Sequence, residues 1–352
     1  MKIGILTFHQ AHNYGAVLQC YALKDILSQM GHEVEVIDYR QPYLEKHYAV
    51  LNSHKIITNL FHFNLGVAWK LISSIYPNFR RRELYRKFLK RYFSLTRSCS
   101  INNIPIGFDA YIIGSDQLWS KECLGGELDP VYFGNFAHSI SSRLITYAVS
   151  SNDSSIKELI GVGSSQFDNL CNISLREEKY ALLLSKAINR EVTVDIDPVL
   201  LAGASVWFPL LDDKWKGKRY IVKCLYRDWF SHKADIEKFV DLNECKEVDL
   251  TSKTYSLIDF VSSIYYSDLV LATSFHATIF AIIFHKPFIC LKLSDGNDER
   301  CENLLNILGL SSNMYIKIPI SQHHDNINWN SVEIKLEKLR RRSIQHLTEP
   351  LR

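Results

Sequence analysis

Four stretches place residues with usable chemistry directly after runs of β-forming residues. The first, Phe8-His9-Gln10-Ala11-His12-Asn13-Tyr14-Gly15, follows KIGILT and leads into a helical pattern. Free N–H groups at such a helix start favour an anion. The stretch carries neither GxGxxG nor GK[ST], so it signals neither a dinucleotide site nor a P-loop. Asn13 as a helix cap and Gly15 as a tight turn explain the same residues without a ligand. The second, Gly114-Ser115-Asp116-Gln117-Leu118-Trp119, follows DAYII. Asp and Gln can hold sugar hydroxyls, and Trp can stack on a pyranose face. A turn-capping Asp116 and a core Trp119 are the plainer alternative.

In the third stretch Arg176 precedes Glu177 and Glu178 after Asn172–Leu175. The two acids suit the positive end of a helix. Arg176 does not, unless it faces a bound anion. A guanidinium grips a carboxylate or phosphate with paired N–H donors, although a surface pair with a nearby Glu is the commoner use. The fourth is Thr273-Ser274-Phe275-His276, after DLVLA. His276 falls in the first turn of an otherwise apolar helix, ATIFAIIF. A histidine at a strand-to-helix switch can serve as a general acid or base, and a satisfied core histidine is the alternative.

The elements that must position these residues follow a strand–helix–strand rhythm. Lys2–Thr7 predicts a buried strand, Tyr14–Met30 a helix closed by Gly31, and Glu33–Asp38 a second strand. Strand, helix and strand within 38 residues make a βαβ unit and so a parallel sheet. Residues 43–97 break the rhythm as a helical insertion, with helices at Val67–Ile75 and Arg80–Phe93. Strands resume at Asp109–Ile113, Leu144–Val149, Asn172–Leu175 and Val192–Val194. A second series opens at Arg219–Leu225. It continues with a helix at 232–242, a strand at 246–249, a helix at 255–266 and a strand at Asp268–Ala272. A helix at 275–284, a strand at Phe288–Leu291, a helix at Glu302–Leu308 and a charged helix at Asn330–His346 complete it. The expected fold class is α/β, two Rossmann-like domains facing a cleft. The first spans residues 1–200 with the insertion at 43–97, the second 201–325, and 326–352 forms a C-terminal helix and tail. Ligands in such sheets sit beyond the carboxyl ends of the strands.

Composition narrows the function classes. The 352 residues are 47% hydrophobic and 22% charged, with a net charge of +3. That is ordinary globular composition, too balanced to argue nucleic-acid binding. Residues 40–97 nevertheless hold twelve Lys/Arg against two acids, a local +10, which leaves −7 for the rest. The bland reading of this segment is a solvated amphipathic helix. The sharper reading is a surface that meets anionic lipid or a lipid-pyrophosphate acceptor. No two of the eight cysteines are closer than eleven positions, so no zinc knuckle is present and reduced thiols in a cytoplasm are expected. The start MKIGILTFHQ reads as no secretory leader, and the run 269–284 is too short to span a bilayer. There is no G-x-S-x-G elbow, HExxH or acidic metal cluster. The expectation is no metal and no cofactor.

The four stretches, in this order, resemble the polysaccharide pyruvyl transferase family. The matching segments are TFHQAHNYGAVLQCYAL at 7–23, YIIGSDQLW at 111–119, SLREEKYALLLSK at 174–186 with DIDPVLL at 195–201, and DLVLATSFHATIFAIIFHKPFI at 268–289. ERCENLLNILGL at 299–310 looks like the family's closing basic residue and helix. Ala277 stands where the family usually has Gly, Ser120 where it often has Asn, and Arg300 where some members have Lys. The resemblance implies a fold like that of the two-domain GT-B glycosyltransferases. The implied activity is transfer of an enolpyruvyl-derived group from phosphoenolpyruvate, as co-substrate, onto two hydroxyls of a sugar, giving a cyclic pyruvate ketal and phosphate. The implied acceptor is a surface glycan or its precursor, lipid-linked in some members.

On that resemblance His276, Arg176 and Asp116 are the expected catalytic residues, with His276 the acid and Asp116 the base. Arg176, Arg300, Ser274 and His276 would bind the donor. Asn13, Tyr14, Gly15, Ser115, Asp116, Gln117 and Trp119 would bind the acceptor. The expected partners are phosphoenolpyruvate and a glycan, with peripheral contact at the inner face of the membrane and no nucleic acid. A GT-B glycosyltransferase using a nucleotide sugar is the competing reading, and a non-catalytic glycan-binding member is a third.

Overall fold

The computed structural model describes residues 1–49, 73, 75–136, 142–227, 229–242, 246–252, 254–293, 298–316 and 327–352. The chain divides into two units, Met1–Pro198 with Ser343–Arg352, and Val199–Arg342. The helix expected at Val67–Ile75 falls almost entirely outside the described residues.

In the first unit β1 (Lys2–Leu6), β2 (Glu33–Val36), β3 (Ala110–Trp119), β4 (Arg143–Ser151), β5 (Ser174–Leu175) and β6 (Thr193–Val194) form one sheet. Its order is β2-β1-β3-β4-β5-β6, and every pairing is parallel. The continuous apolar runs explain this. Ile3, Ile5, Ile112, Ile113 and Ile145 are all buried, as strands covered on both faces require. In the second unit β7 (Tyr220–Cys224), β8 (Lys246–Asp249), β9 (Leu269–Ala272), β10 (Phe288–Leu291) and β11 (Met314–Tyr315) form a second parallel sheet, ordered β11-β10-β9-β7-β8.

The helices are α1 (Tyr14–Gln29), α2 (Pro42–His47), α3 (Ile75–Tyr92), α4 (Asp153–Val162), α5 (Glu178–Ile188), α6 (Pro198–Ala202), α7 (Lys233–Leu242), α8 (Leu257–Tyr266), α9 (Phe275–Ile283), α10 (Glu299–Leu308) and α11 (Trp329–Thr348). Their ends follow local chemistry. Asn13 caps α1 by accepting from the Gly15 and Ala16 N–H groups. Ser256 and Asp259 form a reciprocal capping box on α8.

Both sheets share one winding. In the first, the chain leaves β1 for β2 on one side and returns to β3 on the other. In the second it does the same from β7 to β8 and back to β9. Each sheet therefore has a switch point, between β1 and β3 and between β7 and β9, where a crevice opens beyond the strand ends.

One expectation is corrected. Residues 114–119 do not follow a strand that ends at Ile113. They continue β3 in register with β4, Asp116 opposite Val149 and Trp119 opposite Ser151, with an irregularity between them. The polar letters GSDQ hid a strand paired with Tyr147 and Val149 of β4. The last ten residues, Ser343–Arg352, belong to the first unit. Ser343 Oγ receives the Ile196 N–H, His346 pairs with Asp195 at 2.9 Å, and Arg143 donates to the Pro350 carbonyl.

Gly114 is required by close approach. Its φ is +132°, and a Cβ there would lie 2.2 Å from the Tyr147 carbonyl oxygen. Backbone cannot yield as a flexible side chain can. Gly114→Ala is expected to destabilise the first unit by about 3 kcal/mol, read as a lower midpoint in urea. An unchanged midpoint would contradict the tight β3–β4 contact.

Candidate active-site residues at the two switch points

At the first switch point, threonine and glutamine side chains stitch β1 to β3. Thr7 Oγ1 donates to the Ser115 carbonyl. The Gln19 amide, buried in α1, donates to Thr7 Oγ1 and accepts the Ser115 N–H. Gln19 thus has a structural task that its place in NYGAVLQ did not disclose. Asp116 follows with φ +90°, a left-handed conformation uncommon for a residue with a side chain. Its carboxylate accepts the Gln117 N–H at 2.9 Å. A residue held in such a conformation marks a position where geometry has been favoured over local comfort.

Arg176 was expected to grip an anion. Its side chain is only 6% exposed and pairs at 2.9 Å with the fully buried Asp197. It also donates to Ser115 Oγ, which donates in turn to the Ala148 carbonyl. Through its Nη2 the guanidinium links β3 to the DIDP segment. The ion-pair partner shown is Asp197, from the DIDP segment. Glu177 instead accepts from Ser150 Oγ and the Ser151 N–H. Asp195, the other acid of DIDP, takes Ser174, Thr193 and His346.

Trp119 offers no platform to a sugar. It is 0% exposed, stacked on Phe133 at 5.0 Å, edge-on to Phe167, and its Nε1–H donates to the Tyr132 carbonyl. Ser115 is fully buried as well. Tyr14 is buried beside Tyr85 under the Arg81 guanidinium, and Gly15 gives its N–H to Asn13. Asp116 and Gln117 retain part of their surface.

Sequence reasoning assigned no role to His9, Asp38 or Arg40. His9 Nε2 meets Asp38 at 2.9 Å, and Gln10 and Arg40 donate to the same carboxylate. Burial alone would raise Asp38, but the hydrogen bonds from His9 and Arg40 outweigh it and hold the acid at about 2. His9, Gln10 and Arg40 border a cavity of about 750 Å³ whose other wall is α3. His12 also lines it. Burial, reinforced by Arg81 and Arg82, pushes His12 down to about 4, so it is neutral at pH 7.

At the second switch point a threonine plays the same part. Thr273 Oγ1 donates to the Tyr226 carbonyl and receives the Tyr226 N–H, tying β9 to β7. Ser274 caps α9 by accepting from Ala277. His276, 9% exposed, sits in the first turn with its ring edge-on to Phe275. The Arg300 guanidinium lies 5.5 Å from the same Phe275 ring. Arg227 is a further cation here that sequence reasoning missed. It has φ +67°, donates to the Thr273 carbonyl and pairs with Asp298 at 2.7 Å. Its place just after β7 was the available signal, since strand ends were the places to inspect.

The family model for polysaccharide pyruvyl transferase matches residues 13–295. The chain belongs to the polysaccharide pyruvyl transferase family. It is accordingly an enzyme, a transferase of polysaccharide biosynthesis. The match includes Asp116, Arg176, Arg227 and His276 and stops short of Arg300. No curated protein sequence matches the chain. Among solved structures this pyruvyl transferase family member is similar to UDP-GlcNAc 2-epimerase from Methanocaldococcus jannaschii. The TM-score is 0.50 at 8% identity, over 96% of this chain and 92% of that one. It is also similar to E. coli heptosyltransferase WaaC with ADP-2-deoxy-2-fluoro heptose, with a TM-score of 0.38 at 10% identity over 96% and 99% of the two chains. The first likeness shows the fold, two Rossmann-like α/β units. Among the described residues no helix is long and apolar enough to cross a membrane.

Proposed function

We propose that this enzyme transfers an enolpyruvyl-derived group from phosphoenolpyruvate onto two hydroxyls of a sugar, leaving a cyclic pyruvate ketal and releasing phosphate. The sugar belongs to a surface polysaccharide or its precursor, and the reaction runs in the cytoplasm. The observation that carries the reading is the set at the second switch point. One histidine at a helix start lies among two arginines, on a chain of this family. Phosphoenolpyruvate presents a carboxylate and a phosphate, and Arg300 supplies matching charge, while Arg227 is paired with Asp298. Ser274 and the first turn of α9 add N–H donors and the positive helix end.

His276 gives its proton to the methylene carbon, which becomes the methyl group. A sugar hydroxyl forms the first C–O bond at the neighbouring carbon. The bridging C–O bond to phosphate breaks, and the second hydroxyl closes the ring. Two hydroxyl protons are released. One restores His276 and the other leaves on phosphate. In the first unit, Asp116 and Gln117 are suited to hold hydroxyls of the acceptor. Arg176 acts at one remove, by fixing Ser115 and so the backbone of Asp116.

The test is phosphate release from phosphoenolpyruvate with and without galactose-, glucose-, N-acetylhexosamine- and mannose-containing acceptors, followed by mass spectrometry. Acceptor-dependent release with a mass gain of one pyruvate less one water is expected. No release with any acceptor, together with thermal stabilisation by a nucleotide sugar and none by phosphoenolpyruvate, would transfer the reading to a glycosyltransferase.

A further inference from the structure

Helix α3 presents different chemistry on its two sides. Tyr85, Phe88 and Leu89 are buried and hold one side to the first unit. Arg81 serves the same side, its Nε donating to the His12 carbonyl and its guanidinium lying over the Tyr14 and Tyr85 rings. At 3.6 residues per turn, Tyr76, Arg80, Lys87 and Arg91 fall within about 60° of one another on another side. All four are exposed, and none of them lines the cavity that Arg82, Arg86 and Lys90 border. Phe79 flanks this stripe and is 54% exposed, while Tyr76 at its start is 72% exposed. The helix has a single acid, Glu83, which Arg86 holds at 2.9 Å, and Arg80, Lys87 and Arg91 form no ion pair among the described residues. The stripe is about 22 Å long at 1.5 Å rise per residue.

A helix that lies in a bilayer gives its apolar face to the lipid. The apolar face of α3 is already packed on the protein, so embedding of the whole helix is excluded. What remains is a row of unpaired cations with two aromatic rings at its start. Lys and Arg are drawn to the negative potential of anionic headgroups, and aromatic rings settle at headgroup depth. A flexible polyanion such as a single-stranded nucleic acid could also meet cations and rings. It would wrap onto neighbouring surface as well, and the chain outside residues 40–97 carries −7. A flat anionic surface touches the basic side alone.

We propose that this side of α3 docks the protein on a bilayer surface of anionic phospholipid, with Arg80, Lys87 and Arg91 on the headgroups and Tyr76 and Phe79 at headgroup depth. The contact is peripheral and reversible. Each cation held near such a surface strengthens partitioning only about 5-fold, and salt screens it. The docking surface is independent of ketal transfer and of any ligand of the cavity.

The experiment is flotation of the full chain with vesicles of phosphatidylcholine alone and of phosphatidylcholine mixed equally with phosphatidylglycerol. Binding is expected to the mixed vesicles only, and it should fall steeply as salt is raised. Lys87→Gln/Arg91→Gln should weaken it about 10- to 30-fold, from two cations lost. Phe79→Ala should weaken it about 5-fold, from the ring surface no longer buried. Lys338→Gln/Arg341→Gln removes the same charge from exposed positions of α11 and should cost less than about 2-fold. All five substituted side chains are exposed, so each variant should melt with the wild type, which calorimetry checks. Equal binding to both kinds of vesicle, no binding to the mixed vesicles at low salt, equal weakening by the two charge pairs, or an unaffected Phe79→Ala would each overturn the proposal. A single-stranded oligonucleotide that binds through Lys87 and Arg91, with no flotation on the mixed vesicles, would assign the face to nucleic acid instead.

Discussion

His276→Ala is expected to lower the turnover of pyruvyl transfer by about 10²- to 10⁴-fold, the range that a positioned general acid contributes. The expectation rests on where the ring is held. Ser274 fixes the start of α9, Thr273 ties that start to β7, and Phe275 abuts the imidazole edge-on. A proton moved only in the transition state leaves ground-state binding largely alone. The loss should therefore fall on kcat, with KM for phosphoenolpyruvate changed little. Arg300→Ala should show the opposite division, a raised KM with a smaller change in kcat, because Arg300 is assigned to binding. Initial rates of phosphate release across donor concentrations separate the two. Near-normal turnover by His276→Ala would remove the histidine from the mechanism.

Arg176→Ala should act mainly on stability. Removing the arginine leaves Asp197 buried without its counter-charge, and breaking such a pair from one side costs about 3–5 kcal/mol. Ser115 Oγ loses a donor in the same substitution. At a few degrees per kcal/mol, the first unit should melt about 10 °C lower in calorimetry. The double substitution Arg176→Met/Asp197→Leu removes both charges and should recover much of that loss. A residue that clamps the donor directly would behave otherwise, with an unchanged melting temperature and a raised KM. That outcome would return Arg176 to the role that its sequence position first suggested.

These two residues show how unevenly the site could be read. The placement of His276 was legible because two local signals agree: an apolar strand, and an apolar helix with one histidine in its first turn. The observed α9 starts at Phe275, where the helix was expected. Arg176 carried equally clear local signals, but its ion-pair partner was not legible, because Asp197 lies 21 positions away and the pairing of β5 with β6 brings it near. Trp119 failed for a related reason. Its neighbours in sequence are polar, but Phe133 and Phe167, which cover it, come from other segments. Arg227 was overlooked because its surroundings, CLYRDW, show nothing unusual until Thr273 and Asp298 are placed beside it. The cavity had only one legible half, the basic stripe of α3. Its other wall comes from Arg40 and the residues after β1.

The sequence by itself determined that this chain is α/β, with parallel sheets, helices starting near Tyr14 and Phe275, and basic charge concentrated in one segment. Those properties depend on period, caps and composition, which act over one or two turns of chain. Only the tertiary structure decided which charges are spent on holding the fold and which remain for a ligand. A charge buried against its counter-ion stabilises the protein, and the same charge on a cavity wall binds an anion. Strand order, which sets the neighbours, is written in contacts between residues far apart in the chain.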